Sequence, residues 1–142
     1  MKKLFVSDPI YPEKALAVVR IVVGLLLIYH GLEVFDRDTM QSYLTWDTFK
    51  GGAGEFLVYL GKSSEFISGI LITVGFFTRL GGLIAAGTMC YITFFVGSGR
   101  FWYEDQHPFM FVLFAVLFFF TGPGAWSLDQ WLAQANKRTR QK

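Results

Sequence analysis

The sequence predicts an all-α membrane protein: four transmembrane helices in an antiparallel bundle, with a short interfacial helix near the C-terminus. Three observations predict it. Hydrophobic residues fill 53% of the 142 positions and charged residues 17%, a balance too apolar for a soluble domain of this size to hide. The apolar residues form long runs rather than alternating at every second position, which fits helices and not strands. Basic residues collect in alternate loops, as the topology of a spanning bundle requires.

A span needs roughly 20 mostly apolar residues to cross a hydrocarbon core about 30 Å thick. The first candidate is "ALAVVRIVVGLLLIYHGLEVF" (15–35) and the second "FLVYLGKSSEFISGILITVGFF" (56–77). The third is "LGGLIAAGTMCYITFFVG" (80–97). The fourth, "PFMFVLFAVLFFFTG" (108–122), is short and draws on the preceding "FWYEDQH" to reach length. Beyond it, "SLDQWLAQANKRTRQK" reads as an interfacial helix over about 127–137. Ser127 is its N-cap with Gln130 three residues on, and Leu128, Trp131, Leu132 and Ala135 give it an apolar side. The whole chain, 1–142, reads as one domain. Pro9 and Pro12 interrupt after "MKKLF", so the first helix is expected to serve as its own insertion signal rather than follow a cleaved leader. In the 36–55 loop, "FKGGAGEF" has the glycine to bend, while "YLTW" either lies on the membrane or forms a lid. The sequence does not choose.

Lys2, Lys3, Lys14, Arg79, Lys137, Arg138, Arg140 and Lys142 fall on one side of this layout. The opposite loops hold Arg37, Lys50 and Arg100 against Asp36, Asp38, Asp47, Glu55, Glu104 and Asp105. The positive-inside rule then places both termini in the cytoplasm, as an even number of spans requires. Trp102 and Tyr103 fall at the outer interface, Trp126 and Trp131 at the inner one. Membrane lipids are thus expected partners, and nothing points to nucleic acid.

Ionisable residues inside the apolar runs sort into two layers. At about 1.5 Å of rise per residue, Arg20 lies in the inner part of the first helix, and Arg79 ends the second, where it can snorkel to head groups. His30, Glu33, Lys62 and Glu65 lie in the outer half, with His107 at the outer mouth. His30 and Glu33 share a helix face, as do Lys62 and Glu65. Facing lipid would cost about 2.5–3.5 kcal/mol for a charge at mid-membrane, so both pairs should point inward, Lys62 neutralising Glu33 or Glu65. Tyr29, Tyr59, Tyr91 and Thr93 lie at similar depth. Small residues, including Gly24, Gly31, Gly61, Ser64, Gly69 and Gly82, should let helices approach.

Three readings of the outer layer compete: a self-satisfied network that fixes helix register, a pocket for a lipid-soluble quinone, and a metal site. The last is opposed by Lys62 and by the absence of paired ExxH motifs, and no metal is expected. The single cysteine, Cys90, excludes an internal disulfide. No flavin, dinucleotide or iron–sulfur motif is present, so electrons would come from a partner subunit or directly from substrate.

"RIVVGLLLIYHGLE", "EFISGILITVGFFTRLGGL" and, near the C-terminus, "GPGAWSLD" together resemble the DoxX family of small four-helix membrane proteins, over nearly the whole chain. Arg20, His30, Gly31, Glu65, Gly75, Arg79, Gly122, Gly124 and Asp129 match the family's pattern by position. The resemblance implies a bacterial-type inner-membrane protein, often tied to respiratory or redox partners. Founding members are subunits of a thiosulfate:quinone oxidoreductase, and other relatives are of unknown function or act in assembly and redox homeostasis. One departure stands out: where members commonly have glutamine and lysine, this chain has Glu33 and Val34, with Lys62 as a substitute cation.

From the resemblance we expect Arg79 and Asp129 to form an ion pair near the inner surface, with Arg20 as a third member. We also expect a quinone-linked subunit with a redox ligand in the outer layer. In it, His30 and Glu65 are the catalytic hydrogen-bond and proton partners. Glu33 and Lys62 tune the charge, and Tyr29, Tyr59, Tyr91 and His107 complete the site. Whether the chain is itself an enzyme stays open. The rival expectation is a non-enzymatic assembly or structural protein, alone, with a partner or as a homo-oligomer.

Overall fold

The computed structural model describes residues 9–140, and the side chain of Arg140 lies outside that description. Lys2, Lys3 and Lys142, three of the expected topology charges, lie outside the described residues. Helix α1 spans Pro12–Gly31 and runs into a 3-10 turn, Leu32–Phe35. Pro12 opens it where the missing N–H is harmless, with Glu13 in the first turn favouring the positive end of the dipole. Next come the short α2 (Arg37–Tyr43), a 3-10 turn (Asp47–Phe49) and α3 (Gly54–Val74). Helix α4 (Thr78–Tyr91) continues as a π-helical segment, Ile92–Val96. Helices α5 (Gln106–Thr121) and α6 (Leu128–Arg140) complete the described residues, which contain no strand.

Three helical stretches are long and apolar enough to cross a membrane: Pro12–Phe35, Gly54–Val74 and Thr78–Val96. The expected fourth span is shorter. Helix α5 does take in Gln106 and His107 from the preceding segment, yet its 16 residues reach only about 24 Å. Its start is limited by the loop before it, which Asp105 ties down by accepting the N–H groups of Ser98 (2.9 Å) and Arg100 (3.0 Å).

Helix α1 packs on α3, α3 on α4, α4 on α5, and α5 back on α1. Val23, Leu27, Ile72, Ala85, Met89, Phe111, Val112, Ala115 and Phe118 form the shared core. No more than a third of each candidate span is buried inside the protein. The apolar faces left over, such as Leu25, Leu26, Ile67 and Phe120, therefore meet lipid. Gly24, Gly31 and Gly69 let α1 and α3 approach backbone to backbone, since a Cβ on any of them would run into the other helix. Gly82 does the same between α4 and α5, where a Cβ would lie 3.0 Å from the Ala115 carbonyl. Gly61 does not serve this purpose, for a Cβ there would meet nothing within 4 Å.

The 36–55 loop is a lid, anchored where its Met40 and Phe49 pack on Val58 of α3. Asp36 starts it by accepting the N–H groups of Asp38 and Thr39 and the Thr39 hydroxyl.

Candidate functional site

The outer polar residues converge beneath this lid. From α3, Lys62 places its Nζ 2.9 Å from Glu33 Oε2 and 3.1 Å from Glu65 Oε2. From α2, the Tyr43 hydroxyl donates to Glu33 Oε2 at 2.5 Å, and its ring lies 5.1 Å from the Lys62 nitrogen. Burial of the phenol, then its bond to Glu33, push the Tyr43 pKa upward. Tyr43 therefore stays a hydrogen-bond donor over the physiological range. Glu65 is only 3% exposed, and Lys62 is the one side chain that donates to it among the described residues. Its second carboxylate oxygen keeps its accepting capacity.

Tyr43, Lys62 and Glu65 border a cavity of about 220 Å³ that is also lined by His30 and His107 together with apolar and aromatic side chains. The His30 and His107 rings meet edge to face at 5.3 Å, with Phe111 closing behind both. Neither imidazole makes a hydrogen bond to protein among the described residues, so their ring nitrogens are available to whatever the cavity holds. The π-helical segment supplies Ile92 and Val96 to the wall. Its wider turn re-aims side chains relative to an α-helix, a device common beside functional sites. Thr93 steadies the segment by donating to the Met89 carbonyl at 2.7 Å.

Of the expected site residues, His30, Lys62, Glu65, Tyr91 and His107 line the cavity, and Glu33 braces Lys62 from outside it. Tyr29 and Tyr59 do not line it. Tyr29 is 70% exposed on the outer surface of α1 and reaches only the back of the His30 ring. One position before His30, a side chain is turned by about 100° on an α-helix. Tyr43 and Trp46 line the cavity, the lid alternative for "YLTW", while Phe49, Met89 and Phe111 line it unanticipated.

The inner layer is arranged differently from the expectation. Arg20 is fully buried and donates Nη1 to the carbonyls of Ile72 (2.5 Å) and Thr73 (2.8 Å). Its Nη2 donates to those of Trp126 (2.9 Å) and Ala125 (3.4 Å). The guanidinium thereby caps the last turn of α3, where the Ile72 carbonyl otherwise accepts only the Gly75 N–H at 3.2 Å, and pins the 122–127 turn against it. Asp129 does not pair with Arg79. It accepts the N–H groups of Phe77 and Thr78, both at 2.9 Å, and the Thr78 hydroxyl at 3.0 Å. The start of α4 offers unpaired N–H groups and a positive dipole end, so it outcompetes a solvated arginine for the carboxylate. Arg79 is exposed and forms no ion pair among the described residues. Ser127 caps α6 by accepting the Gln130 N–H at 3.2 Å, as expected. Phe77 and Trp126 are held in left-handed backbone (φ 46° and 51°) on either side of this latch, a strain that the surrounding bonds sustain.

The DoxX family model matches residues 15–98, more than half of the chain. The chain belongs to the DoxX family. The DoxX match runs from α1 through the π-helical segment, and so includes Arg20, His30, Glu33, Lys62 and Glu65 but not His107 or Asp129. A Haemophilus influenzae protein described as uncharacterized is 28% identical over 126 residues, covering 84% of this chain and 91% of its own. No solved structure matches the chain. As a DoxX protein with several apolar helices, it is a membrane protein in contact with lipid.

Proposed function

We propose that the protein is the integral membrane subunit of a quinone-linked redox complex, and that the cavity under the lid binds the ligand's ring. The observation that carries this reading is the combination of size and chemistry in one space. About 220 Å³ is smaller than the roughly 300–1,000 Å³ of sites for drug-sized molecules, and suits a single ring. Its lining offers a buried carboxylate, an ammonium and two unpartnered imidazoles among aromatic and aliphatic side chains. These residues fit a quinone, whose two oxygens need polar partners and whose ring needs apolar walls.

A quinone supplies two-electron, two-proton chemistry at its ring oxygens. The chain's own residues bind and orient it: His30 and His107 hydrogen-bond one oxygen, and Glu65 holds or accepts a proton beside the other. Lys62, fixed between Glu33 and Glu65, keeps the local charge balanced. Tyr43, Trp46 and Phe49 exclude water from above. Electrons reach the site from a partner subunit.

In this reading the fold is a four-helix antiparallel bundle in a bacterial inner membrane, α5 completing the fourth crossing with local thinning of the bilayer. Both termini are cytoplasmic by the charge distribution, and α6 lies on the inner surface with Leu128, Trp131 and Leu132 toward lipid.

Tryptophan fluorescence tests the proposal, because Trp46 lines the cavity. Titrating ubiquinone into quinone-free nanodiscs should quench a saturable fraction of the emission, and Trp46→Phe should remove that fraction. Quenching that is only linear in both proteins would refute it. That result would favour the second reading, a non-enzymatic assembly or structural subunit. The observation on that side is that Lys62 already pairs with both acids.

A further inference from the structure

Helices α3 and α4 touch closely at one end and part toward the other. At Gly81, near the start of α4, a Cβ would lie 2.9 Å from Leu71 Cβ and 3.3 Å from Ile72 Cγ1. Farther along the same pair, a Cβ on Gly61 or Gly87 would meet nothing within 4 Å. Between the splayed helices lies a groove of about 360 Å³, walled by Leu60, Leu83, Ile84 and Gly87 among others. Leu60 and Leu83 are about half exposed, so the groove opens sideways onto the apolar surface of the molecule.

The groove adjoins the cavity. Leu57, Gly61, Thr88 and Tyr91 line both spaces. Starting from Tyr91 at the shared wall, it follows α4 back to Leu83, a distance of about 12 Å. That carries it past the midpoint of the Thr78–Val96 helix, away from the lid and toward the middle of the bilayer. The lid has Tyr43, Trp46 and Phe49 over the cavity, and the gap between α3 and α4 offers an apolar way out of it.

We propose that this groove holds the hydrocarbon tail of the ligand whose headgroup occupies the cavity. The ligand is then an amphiphile with a ring-sized polar head and a long apolar tail, reaching the site laterally from the bilayer between α3 and α4. This rests on reading the cavity as a redox-ligand site. It adds the place of the tail, the route and the residues that select for a tail. Gly61 and Gly87 are small because the tail passes over them, not because helices meet there. The head and tail directions match those of a lipid-phase amphiphile, head near the outer interface and chain toward the midplane.

The test compares two probes, the tail-less ubiquinone ring and decylubiquinone, titrated by Trp46 quenching into parent protein and Gly87→Leu. Gly87 lines the groove and not the cavity, and its surroundings leave room for a side chain. The substitution should weaken decylubiquinone on the order of fivefold and leave the tail-less ring unchanged. The effect is modest because displaced tails return to lipid that is as apolar as the groove. Equal binding of decylubiquinone to both proteins, with the ring also binding, would overturn the groove and leave the headgroup site standing. Failure of both probes to bind the parent would overturn the headgroup site and the groove with it. A second measurement needs no variant: decylubiquinone bearing a diazirine at its tail end should label Leu83, Ile84 or Gly87 of the parent on illumination. Labelling spread evenly over the lipid-facing helices would mark the groove as an ordinary lipid-covered surface and overturn the proposal.

Discussion

Asp129 holds the first turn of α4 through Thr78, whose N–H and hydroxyl both bond the same carboxylate oxygen, at 2.9 and 3.0 Å. The neighbouring Arg79 is left exposed. Asp129 also donates its own N–H to the Gly75 carbonyl at 2.9 Å, so the turn after α5 and the turn after α3 form one unit. Gly75 is left-handed (φ 70°) where the chain reverses, and a Cβ there would press on the Arg20 guanidinium. This arrangement separates the roles of two residues that an ion pair would have joined. Asp129→Ala should destabilise the protein by about 1 kcal/mol, the usual worth of a cap, with Asp129→Asn in between. Arg79→Ala should stay within about 0.5 kcal/mol of the parent, as for ordinary surface changes. Thermal unfolding in detergent would read both.

Arg20 should be far less tolerant. Arg20→Met removes a donor from four carbonyls, of which Ile72 keeps the Gly75 N–H at 3.2 Å, and each group left buried and unsatisfied costs about 1–3 kcal/mol. Arg20→Lys should rescue little, because an ammonium lacks the planar fork that spans two pairs of carbonyls. The expected readout is a fall in folded yield for both variants, larger than for Asp129→Ala.

In the outer layer, Lys62→Met should destabilise by about 3–5 kcal/mol, the range for breaking a buried pair by removing one partner. Adding Glu65→Gln to Lys62→Met should recover part of that loss, since it removes a carboxylate left without a cation. Unfolding midpoints of the two single variants and the double variant give the coupling directly. Strict additivity would contradict the geometry.

Asp36 offers a pH test outside the spans. Its carboxyl is held below the ordinary range, first by the Thr39 hydroxyl and then by the Thr39 N–H. A lowered folded value means the cap's contribution is complete above the unfolded carboxylate range. It is lost as pH falls through the folded value. Hydrogen-exchange protection of the first α2 amides, corrected for intrinsic rate, should drop in that acid window. In Asp36→Asn it should be flat.

The three long helices were legible because their apolar runs are long, and the Ser127 cap because Gln130 follows at the required spacing. The cluster of His30, Glu33, Lys62 and Glu65 was legible from i, i+3 pairs that cannot comfortably face lipid. Asp129 was misassigned for a physical reason: a carboxylate near a helix start suits an N–H cap and a cation equally, and only the fold decides. Tyr43 and Trp46 were legible only as a segment that either covers a site or lies on the membrane, and Phe49 was not legible as a cavity wall. Their segment has no apolar period, and its position comes from Met40 and Phe49 packing on Val58, a contact between separate elements. The role of Gly61 was misread because a small residue on a helix signals close approach and open space alike.

The measurement that tests the central claim most directly is the identity of what the protein carries. Protein purified gently into nanodiscs would be extracted with organic solvent and the extract analysed by mass spectrometry, for the parent and for Glu65→Gln with matched unfolding behaviour. The account predicts near-stoichiometric quinone in the parent and its loss from the variant. Only bulk phospholipid from both would contradict it and leave the outer layer as a packing device.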